Sequence, residues 1–107
     1  MPLFRRRRGA SSAAPRRGTV RGLEPAALEH LEAFAASRRG VEAYVEPPTT
    51  VSQVTVVFVA ADGEWTRRRI DSGRDAADLG RRLGIPVYDV LATGYPPSMR
   101  AWSARQK

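Results

Sequence analysis

The chain has 107 residues, 42% of them hydrophobic, a size and composition that suit one small domain with a modest core. Eighteen basic side chains against 11 acidic ones give a formal charge of +7, and there is no cysteine. Disulfides, thiolate metal sites and dithiol redox chemistry are therefore excluded, no run reaches the roughly 18 apolar residues of a membrane span, and a cytoplasmic protein is expected.

The first 22 residues are rich in Arg, Gly, Ser, Ala and Pro and poor in large apolar side chains. They lack the apolar stretch of a secretory signal. Such a segment cannot bury enough surface to offset its ordering entropy, so residues 1–22 are expected to be a disordered arm ahead of a single domain, residues 23–107. The arm carries Arg5, Arg6, Arg7 and Arg8, then Arg16, Arg17 and Arg21, and residues 1–23 contain no acid. Residues 24–107 hold 11 basic and 11 acidic side chains, so the whole net charge sits on the leader. The arm reads either as a solubiliser or as a contact for a polyanion, where each Arg displaces counterions from nucleic acid. Nucleic acid or the ribosome ranks ahead of a membrane surface, because Leu3 and Phe4 alone make a weak lipid anchor. Ser11, Ser12 and Thr19 follow arginines, and phosphorylation there would reduce the arm's charge.

Residues 24–38 read as a helix, with Pro25 in its first turn, an apolar stripe of Leu28, Leu31, Phe34 and Ala35, and Gly40 as a stop. His30 lies off that stripe and reads as a solvated flank residue, with no second histidine to share a metal. Residues 41–46 alternate, with Val41, Ala43 and Val45 inward and Glu42, Tyr44 and Glu46 toward solvent. Residues 51–70 form a hairpin around Asp62-Gly63, its first arm the most apolar stretch of the chain. A two-residue loop pairs Phe58 with Arg67. A three-residue bulged loop shifts that register and moves every downstream residue to the other face. Ser72 followed by Asp75 resembles a capping box, opening a helix over residues 74–83 with Gly84 at its end. Residues 85–91 read as a last strand, restricted by Pro86 to an edge. Ser98 starts a final helical turn bearing Met99 and Trp102. The fold class expected is α+β: a small antiparallel sheet of three or four strands with two helices on one face, in the order α-β-β-β-α-β.

That order is shared with double-stranded-RNA-binding domains over residues 23–84, and with the PD-(D/E)XK nuclease core when the last strand is added. The first family's basic cluster at its second helix is replaced here by DSGRDAADLG, and the second family's acid-x-Lys is replaced by Glu64-Trp65-Thr66. Metal-ligand spacing, a phosphate loop, a dinucleotide fingerprint and a nucleophile elbow are all missing from the sequence. What remains is basic and aromatic. Trp65, Arg67 and Arg69 share one face of the third strand, and Tyr88, Tyr95, Arg100 and Trp102 come from the last quarter. Aromatic rings beside arginines suit a protein hot spot or a stacking platform for single-stranded nucleic acid. They suit equally a small core with an edge strand guarded by charge.

The segments VEAYVEPPTT, VAADGEWTRRR and GIPVYDV with GYPPSMR resemble a group of small, basic, uncharacterised actinobacterial proteins over about residues 41–102, some of them labelled oxidoreductases. The resemblance implies, as one alternative, a subunit of a cofactor-dependent oxidoreductase, while the residues themselves call for no cofactor. The sequence as a whole reads as a non-catalytic binding or accessory module whose arm contacts nucleic acid or the ribosome. A protein–protein adaptor, with an arm that solubilises or touches membrane, is the other reading.

Overall fold

The computed structural model describes residues 22–106. Eight elements follow one another: α1 (Pro25–Ser37), β1 (Glu42–Glu46), β2 (Thr55–Val59), β3 (Trp65–Arg69), α2 (Gly73–Leu83), β4 (Val87–Asp89), α3 (Val90–Thr93) and α4 (Pro97–Arg105). The strands lie in the order β3-β2-β1-β4. The first three form an antiparallel meander, and β4 pairs parallel with β1, matching Ala43 to Val87 and Tyr44 to Tyr88.

The sheet is thus mixed rather than purely antiparallel. The reason is the connection. A strand that returns through a helix comes back in its original direction, so α2 carries the chain from β3 over the sheet and sets β4 down parallel to it. α2 approaches β4 closely because Gly80 has no side chain; a Cβ there would overlap Val87 Cγ2. β4 is also shorter than expected. The Asp89 carboxylate accepts the backbone N–H of Leu91 at 2.9 Å, which turns the chain into α3 and ends the strand.

β2 is the centre of the sheet, and its alternation divides the core. Val56 and Phe58 face α1 and α2, meeting Leu28, Leu31 and Phe34 from the first helix and Ala76 and Leu79 from the second. Val57 and Val59 face the other way and join Tyr44, Met99 and Trp65 in a smaller cluster. Burying a side chain such as Leu28 or Phe58 contributes roughly 1.5–3 kcal/mol each, so the larger cluster holds most of the stability. The single terminal turn expected around Met99 is instead the nine-residue α4, which lies on the second face. Helices therefore cover both faces, not one.

The hairpin adopts the three-residue loop. Val59 pairs with Trp65 and Val57 with Arg67. Ala60 N–H donates to Glu64 O at 2.8 Å and Gly63 N–H to Ala60 O at 2.9 Å, with Gly63 at φ +97°. Gly63 is required twice over, since a Cβ would also overlap the Ser98 carbonyl at the start of α4.

α2 starts at Ser72, whose Oγ accepts the Asp75 N–H at 3.3 Å and whose hydroxyl donates to Asp75 Oδ2 at 2.9 Å. Asp75 takes the hydroxyl rather than the Ser72 N–H of a full capping box. Gly84 closes the helix in the left-handed region. Gly22 O accepts the Asp71 N–H at 2.9 Å, and Leu23 is buried in the larger cluster. Of the expected arm of residues 1–22, all but Gly22 lie outside the described residues, its seven arginines among them. Among the described residues, no helix is long and apolar enough to cross a membrane.

Candidate functional site: the Glu46 clasp and the groove beside it

Strand alternation places Glu46 on the face of Tyr44, and the sheet register sets Thr55 opposite Glu46. The bulged hairpin then decides the rest. Because Val57 opposes Arg67 and Thr55 opposes Arg69, both arginines fall on this same face, as Trp65 does. In the two-residue register Arg67 would lie opposite Phe58, against the larger core. Glu46 was expected on a solvent face; it is buried, as is Tyr44. Tyr95 comes down on Glu46, and Met99 of α4 packs in one cluster with Tyr44, which removes these two side chains from water.

The Glu46 carboxylate accepts four hydrogen bonds. Arg67 grips it with both edges of the guanidinium fork, Nε to Oε1 at 2.7 Å and Nη2 to Oε2 at 2.9 Å. The Thr55 hydroxyl donates to Oε1, and the Tyr95 hydroxyl, from the loop between α3 and α4, donates to Oε2. Burial alone would raise the Glu46 pKa. The hydrogen bonds from Arg67, Thr55 and Tyr95 outweigh it and hold the carboxyl below its ordinary value. Burial, followed by the bond to Glu46, raises the Tyr95 phenol. Arg67 lies 5.1 Å over the Trp65 ring, and Trp65 Nε1 donates to Ser103 Oγ of α4 at 2.9 Å.

This chemistry is that of a clasp. A carboxylate held ionised and surrounded by donors is a poor proton acceptor at neutral pH, and it joins β1, β2, β3 and the α3–α4 loop at one point. His30 is likewise engaged. Expected in solvent, it is half-buried, and its Nε2 bonds Thr66 Oγ1 at 2.7 Å across α1 and β3. Burial, then the nearby Arg68 and Arg38, lower its pKa. Among the described residues no group of three or more His, Cys, Asp or Glu is placed to hold a metal.

Beside the clasp lies an open groove of about 430 Å³, bounded by Glu46, Thr55, Arg67 and Tyr95 and by Pro47, Thr49 and Ser52 of the β1–β2 loop. A second hollow of about 380 Å³ shares Thr49 and Ser52 and extends along the loop to Arg69. The loop is closed on itself. Thr49 N–H donates to Ser52 O at 2.8 Å, and Thr49 Oγ1 accepts from the N–H groups of Val51 (3.2 Å) and Ser52 (3.0 Å).

The residues expected to form a partner surface are only partly brought together. Trp65, Arg67 and Arg69 share a face, and Tyr95 joins them through Glu46. Tyr88 stacks on Tyr44 with ring centroids 5.4 Å apart, farther along the sheet. Trp102 packs beside the hairpin turn at Gly63, and Arg100 is exposed on α4. Sequence reasoning missed Glu46, Thr55, Thr49 and Ser52. The signal for Glu46 was its alternation with Tyr44, legible only once the hairpin register put Arg67 on the same face. The chain matches no known family, no curated protein and no solved structure.

Proposed function

We propose that the chain is a non-catalytic binding module whose Arg-rich leader contacts a polyanion, nucleic acid or the ribosome. Charge pairing carries the reading. In the body, four arginines pair with acids, Arg38 with Glu64 and Arg67 with Glu46, each at 2.7 Å, Arg82 with Glu32 at 3.5 Å, and Arg81 with Asp78, and basic and acidic side chains are equal in number over residues 24–107. The leader's seven arginines meet no acid within residues 1–23. A balanced body with an unbalanced leader concentrates attraction for polyanions at one end. The Glu46 chemistry also favours binding over catalysis, because its carboxylate is committed to the clasp.

The test is retention on heparin and on a protein-free RNA at two salt concentrations, with and without residues 1–21. Seven phosphate contacts on a single strand give a slope of log affinity on log salt of about −5, lost on removal of the leader. Equal retention by both forms would reject the leader as the contact. The protein–protein adaptor is the second reading, favoured by the exposure of Tyr88, Leu91 and Tyr95, with Leu91 at 76%. Co-purification followed by mass spectrometry would name such a partner.

A further inference from the structure

We propose that the hollow lined by residues 49–53 and Arg69 is a seat for a phosphate group, with Arg69 supplying the charge and the Ser52 hydroxyl a directed donor. The site belongs to the body, separate from the leader. It rests on the polyanion reading only for where the phosphate comes from.

Arg67 and Glu46 cancel one another inside the clasp. Arg69, two residues on and on the same face, is exposed, lines the hollow, and has no ion-pair or hydrogen-bond partner among the described residues. The hollow therefore carries one uncompensated guanidinium. Hydroxyl bookkeeping supplies the next donor. Thr49 Oγ1 already accepts two backbone N–H groups, so its own hydrogen is the one that bridges to Ser52 Oγ at 3.0 Å. Ser52 is the acceptor in that bond, and its hydrogen remains available to the groove. Thr50 and Gln53 line the same hollow and add a hydroxyl and an amide.

These donors fit a tetrahedral oxyanion better than a carboxylate. A carboxylate's two oxygens lie in one plane and accept about four bonds, as Glu46 does from Arg67, Thr55 and Tyr95. A phosphate offers three or four oxygens to the same set. Because the Thr49–Ser52 turn is closed by its own hydrogen bonds, binding orders little additional chain. Val51, 93% exposed, lines this hollow, and Tyr95, 43% exposed, lines the groove that shares Thr49 and Ser52 with it; both offer surface to the organic part of a phosphate ester.

The test is a heteronuclear NMR titration of the full chain with inorganic phosphate, sodium acetate at matched ionic strength, and a short oligothymidylate. Phosphate should shift the amides of Thr50, Ser52 and Gln53 and the Arg69 Nε–H saturably, and acetate should not. Arg69→Ala should weaken the phosphate response by roughly tenfold or more, the loss of one charge-assisted contact. Arg69→Lys should recover part of it, since charge returns without the planar fork, and Ser52→Ala should weaken it by roughly threefold. A leader variant, R5Q/R6Q/R7Q/R8Q, should leave the phosphate shifts unchanged whatever it does to heparin retention, so the two proposals fail separately. In that variant, oligothymidylate binding the same amides more tightly than phosphate identifies a nucleic-acid strand as the source. Oligothymidylate leaving them unmoved while phosphate saturates identifies a small phosphate ester. Equal shifts with acetate, or an Arg69→Ala protein that responds as the parent does, would overturn the seat.

Discussion

Removing either partner of the Glu46–Arg67 pair should cost stability, and the two losses should be unequal in a direction set by burial. The Glu46 side chain is 11% exposed and that of Arg67 is 42% exposed. In Arg67→Ala the carboxylate stays in the interior, keeping only the Thr55 and Tyr95 hydroxyls. Orphaning a buried charge costs about 3–5 kcal/mol, and the two remaining bonds place this case at the lower end, about 3 kcal/mol. In Glu46→Ala the guanidinium swings into the groove and regains water, so solvent screening reduces the loss to about 2 kcal/mol. Urea unfolding at neutral pH followed by tryptophan fluorescence measures both, and the gap of about 1 kcal/mol corresponds to roughly 4–8 °C in Tm. The pH dependence adds a second readout. The folded Glu46 carboxyl titrates below its ordinary value of 4.5, so its stabilisation is fully present above that value and fades as pH falls through the folded pKa. Glu46→Gln should lack that portion of acid destabilisation. A Glu46→Ala protein less stable than Arg67→Ala, or a Glu46→Gln protein with the parent's acid slope, would refute the clasp as described.

Gly63→Ala should destabilise the protein by about 2–3 kcal/mol and loosen α4, since it strains a positive φ and drives a methyl into the Ser98 carbonyl; near-UV circular dichroism of the tryptophans reports it. Tyr44 should ionise only near pH 12, because burial and then the bond to Glu42 oppose its phenolate; spectrophotometric titration should show a late step that Tyr44→Phe removes. Ser72→Ala should cost about 1 kcal/mol by uncapping α2, read by thermal unfolding. Leu79→Ala, at a fully buried position between α2 and the sheet, should cost about 2–5 kcal/mol in the same assay.

Much of the fold was legible because local signals agreed with one another. Pro25 and Gly40 bracket α1, Ser72 and Gly84 bracket α2, and the apolar run of residues 54–59 marks the central strand. The hairpin's existence was plain from Asp62-Gly63, but its register was not. Two- and three-residue loops around that pair have similar local merit, and the choice is made by distant contacts: Gly63 against Ser98, Trp65 against Ser103, Arg67 against Glu46. The same nonlocality hid the site. Glu46 reads as an exposed acid until Tyr95, forty-nine residues later, comes down on it. α4 was underestimated because Met99 is its one buried side chain, which leaves almost no periodic stripe to find. The parallel placement of β4 follows from α2 as a connector, a rule of topology that composition alone does not invoke.

That sparse attachment gives α4 a distinct place in the molecule's breathing. The opposite face is held by three large side chains of α1 and by α2, whereas α4 is fastened by Met99, the Trp65–Ser103 bond and its seat on the hairpin turn. Deuterium should therefore enter the backbone of α4 through partial openings well before it enters β2, whose amides exchange only when the whole sheet comes apart. Each such opening would briefly bare Val57 and Val59, the most water-averse surface on that side of the molecule.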